Sequence, residues 1–102
     1  MAKLLVLYNQ PPDPAAFDSY YHRTHVPIAH KIPGLRSYLV SAHKPRALAG
    51  AAPHLVAELT FDSMADLEAA LVSPEGQAAA ADLANFAHAG ATLLAYETRP
   101  AN

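Results

Sequence analysis

Residues 3–8, KLLVLY, run straight into residues 9–14, NQPPDP, and that junction decides the fold. After Lys3 the run has no polar position except the tyrosine hydroxyl, and it falls far short of the ~20 residues that a membrane-spanning helix needs. By composition it is a β-strand, closed by a proline-rich breaker that cannot continue the ladder. Alternate side chains of a strand point to opposite faces. Leu4, Val6 and Tyr8 therefore share one face and Leu5 and Leu7 the other. Both faces of the sheet that holds this strand need cover.

Outward from this strand, Phe17, Tyr21, Thr24 and Ile28 recur at helical spacing, and Pro14 suits a first turn. The spacing predicts a helix from about Pro14 to Lys31, stopped by Pro33-Gly34. Residues 35–43 and 54–61 alternate and predict two further strands, separated by an Ala-, Pro- and Gly-rich loop over residues 44–53. Ser63-Met64-Ala65-Asp66 carries a capping-box pattern, with Met64, Leu67 and Leu71 as the buried stripe behind it. Ser73 can cap a new segment and Pro74 can open it, running to about Gly90. Residues 91–97 form the last strand and residues 99–102 a tail.

The order βαββαβ over residues 1–102 is that of a single ferredoxin-like α+β sandwich, a four-stranded antiparallel sheet with the helices on one face. The open face would carry Leu5, Leu7, Tyr38, Val40, Leu94 and Tyr96. The simplest cover is a second copy, sheet against sheet. The expectation is a homodimer closing into an α+β barrel with an enclosed interior.

Composition agrees, since 52% hydrophobic against 16% charged residues is more apolar than a free-standing domain of this size needs. A net charge of -2 and scattered Lys and Arg leave no basic stripe for a nucleic-acid backbone. The absence of cysteine excludes disulfides, thiolate metal sites and cysteine nucleophiles and fits a reducing compartment. The expectation is a cytoplasmic protein with neither membrane nor nucleic-acid partner. No Gly-rich phosphate loop, Gly-x-Ser-x-Gly elbow or dinucleotide fingerprint occurs. The remaining chemistry is proton transfer or substrate-assisted oxidation in a shielded pocket.

Residues 19–34, SYYHRTHVPIAHKIPG, concentrate the polar candidates. On a helical wheel His25 lies at the edge of the apolar face, with His22 and His30 progressively nearer solvent. His25 is the catalytic candidate, because imidazole exchanges protons near neutral pH. Its alternative is a structural ring bonded to a backbone carbonyl near Pro27. Tyr20, Tyr21 and Tyr96 are expected as core aromatics with a bonded hydroxyl, and His22 is carried as a ligand contact on the wetter side. Glu58 is a carboxylate in an apolar strand and needs a partner or a wet cavity. With Tyr38 on an adjacent strand it would orient a ligand; otherwise it is a rim residue bonded to Arg36 or Lys3. Asp18, His22 and His25 imitate a two-histidine, one-carboxylate metal triad. Three ligands from one unbroken helix rarely converge, so no metal is expected. His43 and His54 flank the 44–53 loop and are expected to face water or gate a cavity mouth.

Tyr20-Tyr21-His22-Arg23-Thr24-His25-Val26-Pro27, then Ile32-Pro33-Gly34-Leu35-Arg36-Ser37-Tyr38, Ala57-Glu58-Leu59-Thr60-Phe61-Asp62-Ser63 and Ser73-Pro74-Glu75-Gly76, resemble the EthD family. The likeness runs from Leu4 to about Tyr96, and the Tyr-x-x-x-His-x-Pro core and the Pro-Gly-Leu-x-x-Tyr run are its most specific parts. The resemblance implies a dimeric α+β barrel, and its motif singles out Tyr21 as a ligand contact beside His25. It places the chain near an ether-degradation system whose oxidative chemistry belongs to companion proteins, and near cofactor-free monooxygenases, lactone isomerases and polyketide cyclases. The function expected is binding of a small, largely apolar, oxygenated ligand with cofactor-independent oxidoreductase, isomerase or cyclase chemistry, in catabolism or secondary metabolism. The alternative is a non-catalytic accessory protein for a neighbouring oxygenase.

Overall fold

The computed structural model describes residues 1–102. In chain order its elements are β1 (Ala2–Tyr8), α1 (Pro14–Tyr20), a π-helical turn (Tyr21–His25), α2 (Val26–Ala29), β2 (Ser37–Val40), β3 (Leu55–Phe61), α3 (Met64–Val72), α4 (Pro74–Phe86) and β4 (Ala91–Glu97). The strands form one four-stranded antiparallel sheet in the order β2-β3-β1-β4, which is the ferredoxin-like arrangement expected from the sequence. No helix is long and apolar enough to cross a membrane.

Strict alternation along β1 puts Ala2, Leu4, Val6 and Tyr8 in the core. Across the sheet Tyr38, Leu59, Leu4 and Ala95 form one inward row, and Leu39, Glu58, Leu5 and Leu94 the adjoining outward row. This corrects the sequence reading, which put Tyr38 and Val40 on the open face. Both point under the helices. The open face keeps Leu5, Leu7, Val56, Leu39, Leu94 and Tyr96, and Leu39 and Leu94 are 60% and 47% exposed. β2 also covers only Ser37–Val40 rather than residues 35–43.

The larger departure is in the first helix. The 14–31 segment is not one α-helix: the N–H of Val26 donates to the carbonyl of Tyr21, five residues back, and the last helical residue is Ala29. Pro27 supplies the reason. It has no N–H for the carbonyl of Arg23, and in regular α geometry its ring would press on that carbonyl; a widened turn just before it relieves the contact. The widening shifts the buried stripe. Phe17, Tyr21, His25 and Ala29 are buried at a uniform spacing of four, while Thr24, expected in the core, is exposed and Ile28 only half-buried.

The Ser63 and Ser73 caps follow the sequence closely, and Asp13, read there only as part of the proline-rich breaker, adds a third. Asp13 accepts from the N–H of Ala16 and Ser63 from that of Asp66. Ser73 donates to the carbonyl of Ala70 at 2.6 Å and accepts from the N–H of Gly76 at 3.0 Å, ending α3 and starting α4 with one hydroxyl. The joint is so tight that a Cβ on Gly76 would lie 2.0 Å from the Ala70 oxygen. It swings α4 back across the sheet and presents Ala79, Asp82 and Phe86 to the core.

Candidate functional site

A buried carboxylate organises the interior. Asp82, 5% exposed, stands on the inward stripe of α4 between Ala79 and Phe86. One oxygen, Oδ1, accepts from the Tyr20 hydroxyl at 2.6 Å and from Asn85 Nδ2 at 3.0 Å. The other, Oδ2, lies 2.8 Å from Nδ1 of His25, itself 5% exposed. Burial pushes the Asp82 carboxyl up, but the hydrogen bonds from Tyr20, Asn85 and His25 outweigh it and hold the group below the ordinary carboxylate range. An ionised carboxylate can only accept. Nδ1 of His25 must therefore carry the proton, and in the neutral ring the lone pair resides on Nε2.

The ring lines a cavity of about 60 Å³ between the inner face of the sheet and the helices. The walls are nearly all aliphatic, among them Leu4, Val6, Leu59 and Leu83, and polarity comes from His25 and the tyrosines Tyr8, Tyr21 and Tyr38. The hydroxyls of Tyr21 and Tyr38 are 2.6 Å apart. Burial raises the phenols of Tyr8 and Tyr21 well above the tyrosine range and shifts Tyr38 upward too, so all three stay protonated and can donate. Aromatic rings close the back, with Phe86 4.7 Å from His25 and 5.3 Å from Tyr20 between ring centres. The cavity thus combines a proton acceptor, hydroxyl donors and a dry apolar wall.

Three residues proposed from the sequence, His25, Tyr21 and Tyr38, meet here. Glu58 and His22 do not. Glu58 is exposed on the opposite face of the sheet, beside Leu5 and Leu39, and Tyr38 pairs with Leu59 instead. Neither expected rim partner holds it: Arg36 makes a double hydrogen bond to Asp62, and Lys3 donates to Thr60. His22 is exposed and lines a separate polar cleft of about 410 Å³ with Asp18, His43, Lys44 and His54. Asp18, His22 and His25 do not converge, because Asp18 lies 2.7 Å from Nε2 of His54 and His25 turns inward to Asp82. His54, expected to face water, is buried edge-on to Phe17.

The sequence reading missed Asp82. Its signal was present in the spacing of Ala79, Asp82 and Phe86, which sets a carboxylate on the apolar stripe of an Ala-rich helix, where it cannot stay unpartnered.

Comparison with known proteins agrees with this architecture. An uncharacterised 11.0 kDa protein of Rhodococcus erythropolis, named for its place between thcB and thcC, is 45% identical over 96 residues, covering 92% of this chain and 91% of its own. A crystal structure of an ethyl tert-butyl ether D (EthD) family protein from Bacillus halodurans matches with a TM-score of 0.87 at 36% identity, over 97% of this chain and 99% of that one. At lower identity the likeness is of fold alone. SnoaB of Streptomyces nogalater, described as a cofactor-independent oxygenase, has a TM-score of 0.68 at 16% identity over 97% and 93% of the two chains. A protein from Bacteroides fragilis, described as dimeric with a ferredoxin-like fold, has 0.64 at 20% identity over 95% of each. The model of the EthD domain matches residues 9–90, and with the site's Tyr21, His25 and Tyr38 all inside that span, the chain belongs to the EthD family.

Proposed function

We propose that this protein binds a small, largely apolar, oxygenated molecule and moves a proton on it without a tightly held cofactor, with His25 as base and acid. The observation that carries the reading is the His25–Asp82 pair, buried at the wall of an apolar cavity next to the Tyr21–Tyr38 hydroxyl pair. Nε2 would take a proton from a C–H beside a carbonyl or from an enol or phenol O–H. Asp82 stabilises the imidazolium that results, as a carboxylate does behind the histidine of a hydrolytic triad. A tyrosine hydroxyl donates to the enolate oxygen.

Return of the proton at another carbon is an isomerisation, whereas attack of the enolate carbon on a second carbonyl of the ligand, with the proton delivered to the alkoxide so formed, closes a ring. Reaction of the enolate with dioxygen is a monooxygenation in which a CH2 becomes C=O, the second oxygen atom leaves as water, and the ligand itself supplies the electrons. The fold shared with SnoaB is in keeping with that second course.

The assembly proposed is a homodimer joined through the open sheet faces. The apolar row of Leu39, Leu5 and Leu94 and the dimeric description of the Bacteroides fragilis neighbour support it. The proposed reaction cavity then lies within each protomer under the helices, and Glu58 faces the dimer interior.

A second reading is a non-catalytic accessory protein for a companion oxygenase. One observation favours it: the Tyr20–Asp82–His25 network also clasps the π-turn to α4. Deuterium uptake from D2O into 2-tetralone, a bicyclic ketone with an acidic CH2, separates the two. The catalytic reading expects the wild type to accelerate exchange and His25→Gln to lose that acceleration with its melting temperature within a few degrees. No acceleration by the wild type, together with a large melting loss in His25→Gln, would favour the accessory role.

A further inference from the structure

The cavity beside His25 measures about 60 Å³, whereas an apolar cavity that admits benzene measures about 150 Å³. A ring-bearing ligand must find room next door. The cavity shares no wall residue with the polar cleft at His22, with the cleft at Tyr20 and His88, or with that at Lys31 and Glu75. It shares two, Ile32 and Tyr38, with a cleft of about 200 Å³ bounded by His30, Gly34, Arg36 and Ser37. Tyr38 is the partition between them.

One feature suits that ring to move, and two contacts give way when it does. It stands on β2, a strand of four residues at the sheet edge paired only to β3. Its hydroxyl is fastened to Tyr21, and its outer side is flanked by the His30 ring at 5.2 Å. The two sides also differ chemically. The inner one is apolar with a proton acceptor, whereas the outer one offers the imidazole of His30, the hydroxyl of Ser37 and the guanidinium of Arg36, of which Asp62 uses Nε and Nη2 and leaves Nη1.

We infer that Tyr38 divides one elongated ligand site into two subsites, the reactive cavity at His25 and an outer subsite at His30 and Arg36 that receives an oxyanion. The ligand class is a planar hydroxyaromatic or enolic carboxylic acid of one or two fused rings. Its enol or phenol end enters beside His25 and its carboxylate stays at the mouth. The Tyr38 ring swings outward on entry, and its hydroxyl exchanges Tyr21 for the ligand oxygen. The inference rests on the reading of the His25 cavity as a ligand site.

Titration followed by NMR with 2-naphthol and with 3-hydroxy-2-naphthoic acid tests it, in the wild type, His30→Ala and Arg36→Gln. Both substituted side chains are exposed and outside the core. Both probes are expected to shift the His25 and Tyr38 ring signals, and the acid is expected to bind about tenfold tighter, an advantage that shrinks to about threefold or less in either variant. If 2-naphthol shifts His25 but the carboxylate adds no affinity, or its advantage survives both substitutions, the outer subsite is refuted and the cavity reading stands. If neither probe shifts His25, the cavity reading falls and the subsite with it.

Discussion

Replacing Asp82 by alanine removes the acceptor for three donors at once: the Tyr20 hydroxyl, Nδ1–H of His25 and the Asn85 amide. Asn85 is exposed and can turn to water, so the cost falls on Tyr20 and His25. Hydrogen bonds to a charged group contribute about 1.5–3 kcal/mol each, and the two buried donors left without an acceptor add their own desolvation cost. The donors share one carboxylate, so these figures overlap rather than add. The expected loss is about 3–5 kcal/mol at pH 7, a large part of the ~5–15 kcal/mol that such a domain has, and it lowers Tm by about 4–8 °C per kcal/mol. Asp82→Asn keeps the shape and one acceptor oxygen and should lose only about 1–2 kcal/mol. Its amide must also donate, which drives the His25 proton from Nδ1 to Nε2 and removes the lone pair from the proposed base.

The pH dependence has a fixed sign. The folded-state carboxyl of Asp82 lies below its ordinary value of 3.8. Its contribution is therefore complete above the unfolded value and disappears as pH falls through the lower, folded one. Calorimetric melts of wild type and both variants should diverge most near neutrality and draw together as pH falls through the folded-state value of Asp82, and 15N spectra of His25 should report the tautomer. A loss under about 1 kcal/mol for Asp82→Ala at pH 7, or a gap from wild type that does not narrow in acid, would refute the argument that this carboxylate is ionised and holds the interior together.

Gly76→Ala places a methyl 2.0 Å from the Ala70 carbonyl oxygen, a backbone atom that cannot step aside, so denaturant melts should show a loss of about 3 kcal/mol or more. A loss below about 1 kcal/mol would mean that the α3–α4 joint opens easily. Leu94→Lys puts a charge in the apolar outer row without touching the core. Light scattering at micromolar concentration should then change from dimer to folded monomer, and a monomeric wild type would end the dimer proposal.

How much of this was legible depends on which backbone geometry a residue pattern assumes. The strand order and the Ser63 and Ser73 caps could be read because each rests on local chemistry that tertiary packing left unchanged. The facing of β2 could not, since its two residue sets, Ser37 with Leu39 and Tyr38 with Val40, each contain apolar members. The inward choice is fixed by pairing of Tyr38 with Leu59 and Leu39 with Glu58. That single choice brings Tyr38 to the cavity and sends Glu58 away from it.

The helix carries the same lesson closer to the chemistry. In a regular α-helix, positions four apart drift by about 40° each, which would leave His25 about 80° round from Phe17 and at the rim of the core. The π-turn inserts one extra residue into one turn and takes that rotation back, so His25 points at α4 where Asp82 waits. Pro27 was visible in the sequence as the residue that frees the Arg23 carbonyl, but its effect upstream was not. The proline widens the turn that contains the histidine, and the histidine then becomes a core residue whose ring N–H needs a buried partner, which Asp82 supplies. Pro27, the π-turn, His25 and Asp82 form one causal chain. Relaxing the turn to α geometry would withdraw His25 from the carboxylate, with the same consequence for the proposed base as removing Asp82 itself.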